Sequence, residues 1–138
     1  MKKSLLFALT LASCTHTQYG LTHESDTNCG NLKRVNVRLR AGLSSWPTSL
    51  TCMEAVSITA NAIERANISL VEEWAIIFTN GNTGVEFNRS MQIIYTLGMT
   101  YPSTRVIMIK AMTPYVLAHE LGHASDVEAN VPNHRDTF

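Results

Sequence analysis

The sequence predicts an α+β domain, and three observations carry that expectation. An alternating strand pattern over residues 32–40 is followed by a helical pattern over 52–67. Three short apolar runs then come in succession, separated by turn residues, and a second helical pattern begins at residue 114. The order is strand, helix, strand, strand, strand, helix, with no internal repeat, and 138 residues are enough for one core.

Before the first strand, "MKKSLLFALTLASC" has a basic start, an apolar run from Leu5 to Ala12, and then small residues, which is the pattern of an export signal. The run is shorter than the about 20 residues a helix needs to cross a bilayer. Leu11-Ala12-Ser13-Cys14 resembles the lipobox of bacterial lipoproteins. The resemblance implies that residues 1–13 are a signal peptide, that Cys14 is lipidated, and that the mature chain is anchored to a membrane of the bacterial cell envelope. The alternative is an ordinary cleaved signal. Residues 14–31 are polar, lack apolar periodicity, and read as a tether in which His16 and His23 are solvated. The domain is then expected over 32–138. With Cys14 set aside, Cys29 and Cys52 remain as a disulfide pair in an oxidising compartment, or else as two free thiols.

In "LKRVNVRLR" the residues Val35, Val37 and Leu39 share one strand face. After "AGLSSWP" turns the chain, Thr51 and Glu54 have the spacing of a capping box, which starts a helix with apolar residues at 52, 55, 56, 62, 63 and 66. "EWAIIFT" is a short apolar strand ended by the turn residues "NGNTG". "MQIIYTL" and "TRVIMIKAM" read as two further strands with "GMTYP" between them. Thr113 is the expected N-cap of the last helix and Pro114 its first residue, with an end near 129–130 before Pro132.

Without Lys2 and Lys3 the chain carries nine basic and eleven acidic residues, a net charge of −2. That balance excludes a nucleic-acid footprint and a polybasic membrane patch. Nothing in it calls for an oligomer, and the chain reads as a monomer.

The chemistry lies in "HELGH". His119 and His123 are one helical turn apart, so their imidazoles leave the same face about 6 Å apart and can converge on one tetrahedral ion. Glu120 is rotated by roughly 100° and can lean over the open side of that ion without ligating it. A carboxylate there can take a proton from a metal-bound water and pass it to a leaving amine. Leu117, Ala118 and Leu121 can face the core, and Gly122 allows close approach. Chance alone places such a motif in a chain of this length roughly three times in a thousand.

His119-Glu120-Leu121-Gly122-His123 matches the HExxH signature, and the chain resembles the zincin metallopeptidases. "VLAHELGHA" is especially similar to the active-site helix of matrixin-type metzincins. The resemblance implies a small twisted mixed sheet of about four strands, a backing helix and an active-site helix. It also implies a Zn2+ cofactor, a protein or peptide substrate, and hydrolysis by a zinc-bound water that Glu120 activates. By the same resemblance "TRVIMIKAM" would be the edge strand along which substrate lies extended.

The sequence departs from the metzincin pattern after His123, where Asp126 and Ala129 stand at the places of the turn glycine and the third histidine. No methionine follows to make a Met-turn. Three sources of a third ligand are open. His134 lies beyond Pro132: the helix from His123 to Ala129 rises about 9 Å, and five residues can return up to about 16 Å. Asp126 lies about 10.5 Å along the axis from His119, better placed to orient an imidazole than to ligate. A downstream glutamate, as in gluzincins, is absent after Glu128. His134 ranks first. Tyr95, Tyr101 and Tyr115 could stabilise an oxyanion but read as ordinary aromatics. The rival to an endopeptidase is a non-catalytic envelope lipoprotein whose zincin-like domain serves as a binding module.

Overall fold

The computed structural model describes residues 19–40 and 49–131. Among these residues it is a mixed α+β fold with two sheets and two α-helices. The strands are β1 (Thr27–Leu32), β2 (Val35–Leu39), β3 (Trp74–Thr79), β4 (Val85–Phe87), β5 (Ile93–Tyr95), β6 (Gly98–Tyr101) and β7 (Val106–Lys110). Helix α1 is Cys52–Ala66 and α2 is Leu117–Glu128, the latter entered through a 3-10 turn at Pro114–Val116. The main sheet has the order β1-β2-β3-β7-β6, while β4 and β5 form a separate pair. The β2–β3 and β3–β7 pairings are parallel, and the two outer pairings are antiparallel.

The two central parallel strands explain the unbroken apolar runs, because both of their faces are covered. Trp74, Ile76 and Phe78 of β3, with Ile107 and Ile109 of β7, face a core closed by Ala55 and Ala62 of α1 and by Leu117, Leu121 and Ala124 of α2. Ile77, Val106 and Met108 face the other way and pack with Ala75 and Tyr101.

Helix α1 starts at the expected capping box. Glu54 N–H donates to Thr51 Oγ1 and Thr51 N–H donates to Glu54 Oε1, each at 3.1 Å. It ends at Asn67, whose left-handed φ of 51° lets its N–H reach the carbonyl of Ile63 at 3.1 Å. Cys52, the first residue of α1, is joined to Cys29 by a disulfide with the Cα atoms 5.1 Å apart. A bulge between Asn28 and Gly30, with Gly30 at φ 108°, leaves Cys29 outside the ladder.

Several expectations change. Residues 27–31, read as tether, belong to β1. Their side chains are mostly exposed, so no apolar alternation marks them, and they are held by backbone pairing and the disulfide. The single strand over 32–40 is broken at Lys33, whose φ of 53° closes a two-residue turn between Leu32 and Val35.

His23, expected in solvent, is half-buried beside an ion-pair cluster. Its N–H donates to Asp26 Oδ2 at 2.8 Å and its carbonyl accepts from Arg38 Nη2 at 3.1 Å. Arg40 Nε and Arg38 Nε lie 2.7 and 3.3 Å from the fully buried Asp26 carboxylate. Burial alone would raise the Asp26 pKa, but the His23 N–H and the two guanidinium groups outweigh it and hold the carboxyl below its ordinary value.

The main sheet has five strands rather than about four. "MQIIYTL" contributes only the exposed β5, whereas "GMTYP", read as a connection, supplies the edge strand β6. "TRVIMIKAM" contains β7, which lies between β3 and β6 and is not an edge. Thr113 makes no side-chain cap, so Pro114 opens the 3-10 turn and the α-helix begins at Leu117. That helix stops at a Schellman motif: Asn130 has φ 60°, Val131 N–H reaches the Asp126 carbonyl at 2.8 Å, and Asn130 N–H reaches that of Val127 at 3.1 Å.

Candidate metal centre

Two anchors position α2. Leu117 and Leu121 are fully buried against the sheet. At the other end the Glu128 carboxylate accepts from Glu72 N–H at 2.7 Å, Val71 N–H at 2.8 Å and Trp74 Nε1 at 2.9 Å, which ties the last turn to the chain entering β3. Burial works to raise the Glu128 pKa, but these three donors, helped by Arg105, keep the net shift downward.

With the helix fixed, His119 and His123 bring their Nε2 atoms to 2.9 Å, and the rings meet edge to face with centroids 4.5 Å apart. A carboxylate oxygen of Glu120 joins this group, all three donor atoms lying within 4.8 Å of one another. Two imidazole nitrogens on one tetrahedral zinc at about 2.0–2.1 Å would stand about 3.3 Å apart. The observed pair needs to open by only a few tenths of an ångström, so the donor set fits a divalent cation.

Glu120 is buried between α2 and β6. Thr100 Oγ1 lies 2.8 Å from Glu120 Oε1 and 3.0 Å from the Glu120 carbonyl, so its one hydroxyl proton, given to either acceptor, ties the residue to the edge strand. Gly98, two residues earlier on β6, makes the close approach possible: a Cβ there would stand 3.0 Å from Ile109 Cδ1 and Val116 Cγ2 and 3.1 Å from Glu120 Cγ. Neither Thr100 nor Gly98 was a sequence candidate. Their only signal was inclusion in a segment that read as a turn.

The three residues open onto a cleft of about 310 Å³ whose other walls include Glu86, Met99, Thr100, Pro102 and Val127. The cleft lies beside β6, whose outer edge pairs with no strand among the described residues. Asp126 is buried on α2, three residues past His123. His134 and Cys14 lie outside the described residues. Tyr101 is turned to the far side of the sheet, where its hydroxyl donates to the Thr83 carbonyl. Burial, with smaller contributions from Tyr19 and Glu120, pushes its pKa up to about 12. Tyr95 and Tyr115 are exposed.

No helix among the described residues is long and apolar enough to cross a membrane. Comparison with protein-family models, with curated proteins and with solved structures found no match for this chain.

Proposed function

We propose that this chain is an exported, lipid-anchored zinc endopeptidase built on a minimal zincin-like fold. One juxtaposition carries the reading: the His119 and His123 Nε2 atoms meet at 2.9 Å, with Glu120 beside them, in a cleft along β6, whose outer edge pairs with no strand among the described residues. An antiparallel edge strand next to the motif helix supports the zincin-like assignment, because a peptide added to that edge would run past the histidines.

His119 and His123, with His134 as third ligand, would hold the ion, and a zinc ion held there would supply Lewis acidity toward a substrate carbonyl and toward water. Glu120 accepts a proton on its carboxylate and returns it to the leaving amine. Thr100 fixes that carboxylate against β6 through its 2.8 Å hydrogen bond. The outward N–H and C=O groups of β6 take the substrate backbone as an added strand, a role moved here from β7 because β7 is interior. The Cys29–Cys52 disulfide supports an oxidising compartment, in keeping with export and with lipidation at Cys14.

Asp126 and Ala129, at the places of the metzincin turn glycine and third histidine, favour the second reading, a non-catalytic binding module of the envelope. The test combines zinc content after exhaustive buffer exchange, in the parent and in His134→Ala, with hydrolysis of an unstructured protein substrate. The endopeptidase predicts one zinc per chain, looser in His134→Ala, and activity that falls about 10²–10⁴-fold in Glu120→Gln with zinc retained. Zinc without hydrolysis in the parent would leave the binding module, and a parent without zinc would sink the metal site.

A further inference from the structure

The hairpin between β3 and β6 projects a surface that the proposed chemistry does not use. Its ladder pairs Val85 with Tyr95, Glu86 with Ile94 and Phe87 with Ile93. Directly paired residues share a face, so Val85, Tyr95, Phe87 and Ile93 form one side that is apolar except for the Tyr95 hydroxyl, and Glu86 and Ile94 lie on the other. Glu86 lines the histidine cleft, which means the apolar side looks away from it and is not a substrate wall. Phe87 is 61% exposed and Met91, in the turn, 74%. The turn is well built: Asn88 Oδ1 accepts from the N–H groups of Ser90 and Gln92, each at 2.9 Å, and Asn88 N–H donates to the Gln92 carbonyl at 3.1 Å. No described element covers this side.

The path of the chain toward Cys14 indicates what does. Gly20 N–H points to Met108 Sδ at 3.3 Å on the back of the sheet, and the Tyr101 ring lies against Gly20 so tightly that a Cβ would meet it at 2.4 Å. The hydroxyl of that same tyrosine is bonded to Thr83, two residues before the hairpin. Residue 20 therefore sits one tyrosine ring from the hairpin's root. Cys14 is five residues before Tyr19 and can lie at most about 18 Å from it. From its root the hairpin extends four or five residues, about 15 Å. These similar lengths allow a lipid on Cys14 and the hairpin tip to meet one membrane plane. Residues 85–97 contain one acid and one base, Glu86 and Arg89, so attraction to the bilayer would come from apolar burial and not from charge.

We propose that the β4–β5 hairpin is a second membrane contact, seating its Val85, Phe87, Ile93 and Tyr95 face and its Met91 tip in the interfacial layer of the bilayer that holds the lipidated Cys14. Attachment at one point leaves the domain free to tumble, whereas two contacts set the orientation of the cleft above the membrane. The inference rests on the Cys14 reading but not on peptide hydrolysis.

The test places tryptophan on the apolar face of the hairpin and at an exposed site on α1, as Phe87→Trp and Met53→Trp, in the chain as processed by the cells that express it. Each protein is reconstituted into phosphatidylethanolamine–phosphatidylglycerol vesicles with brominated acyl chains, and its fluorescence is compared with the parent's Trp46 and Trp74 background. The expected result is at least twofold stronger quenching of the Phe87→Trp reporter than of Met53→Trp, unchanged in 0.5 M salt. Equal quenching of the two, or none, would overturn the proposal. So would a parent that is dimeric without vesicles and becomes monomeric in Phe87→Ser/Ile93→Ser, since the face would then belong to a second copy. Intact mass reports acylation of Cys14 separately, so a hairpin that is quenched in an unlipidated chain would support the contact while removing the anchor.

Discussion

Replacing Gly98 with alanine is expected to push the motif helix off the edge strand. The new methyl carbon would meet Ile109 Cδ1 and Val116 Cγ2 at 3.0 Å and Glu120 Cγ at 3.1 Å. Carbon pairs are at ease at about 3.5–4.0 Å, so each of the three neighbours has to give by a few tenths of an ångström. The three atoms belong to β7, to the 3-10 turn and to α2, and no single rotamer change relieves them all. Overpacking of this kind costs about 1–3 kcal/mol, or roughly 4–12 °C in Tm for a domain of this size. If the chain is the proposed peptidase, moving Glu120 by a fraction of an ångström should lower kcat/KM about 10–100-fold. His119 and His123 ride on the same helix and move together, so zinc content should not change. The assay is thermal unfolding, elemental analysis and substrate hydrolysis on parent, Gly98→Ala and Gly98→Ala/Ile109→Val, in which loss of Cδ1 should restore part of the deficit. A Gly98→Ala protein with the parent's Tm and activity would refute the claimed close approach of β6 and α2.

Two further predictions concern the scaffold. Asp26 is held below the ordinary 3.8, so its contribution to stability is complete above that value and is lost as pH falls through the depressed folded value. Asp26→Ala, which takes the carboxylate partner from Arg38 and Arg40, should cost about 3–5 kcal/mol at pH 7 and flatten the acid limb of a stability–pH curve from urea unfolding; an unchanged limb would show that the cluster is not the acid-sensitive element. Replacing Cys29 and Cys52 together by alanine opens a loop closed over 23 residues and should lower stability by about 3 kcal/mol, read as a shift in the denaturation midpoint. A midpoint that does not move would mean the bridge adds nothing beyond the native contacts.

Legibility followed burial. The continuous apolar runs "WAIIFT" and "VIMIK" announced themselves because central parallel strands are covered on both faces. The Thr51–Glu54 box was legible because capping is a contact between residues three apart. Strand β1 was hidden because its side chains are mostly exposed, and β6 because four residues beginning with glycine look like a turn until a neighbouring strand claims them. Thr113 was misjudged as a cap because the chain makes a 3-10 turn before the helix proper begins.

The sequence by itself determined the α+β class, the helical spacing that puts His119 and His123 on one face, and the position of Glu120 between them, since these depend on local geometry over a few residues. Only the tertiary structure decided that β6, and not β7, is the edge strand beside the cleft, that Thr100 holds Glu120, and that Gly98 makes room for it. Those facts depend on pairing between segments distant in the chain. A backbone hydrogen bond across a sheet is open to almost any residue, so it leaves little mark on side-chain identity.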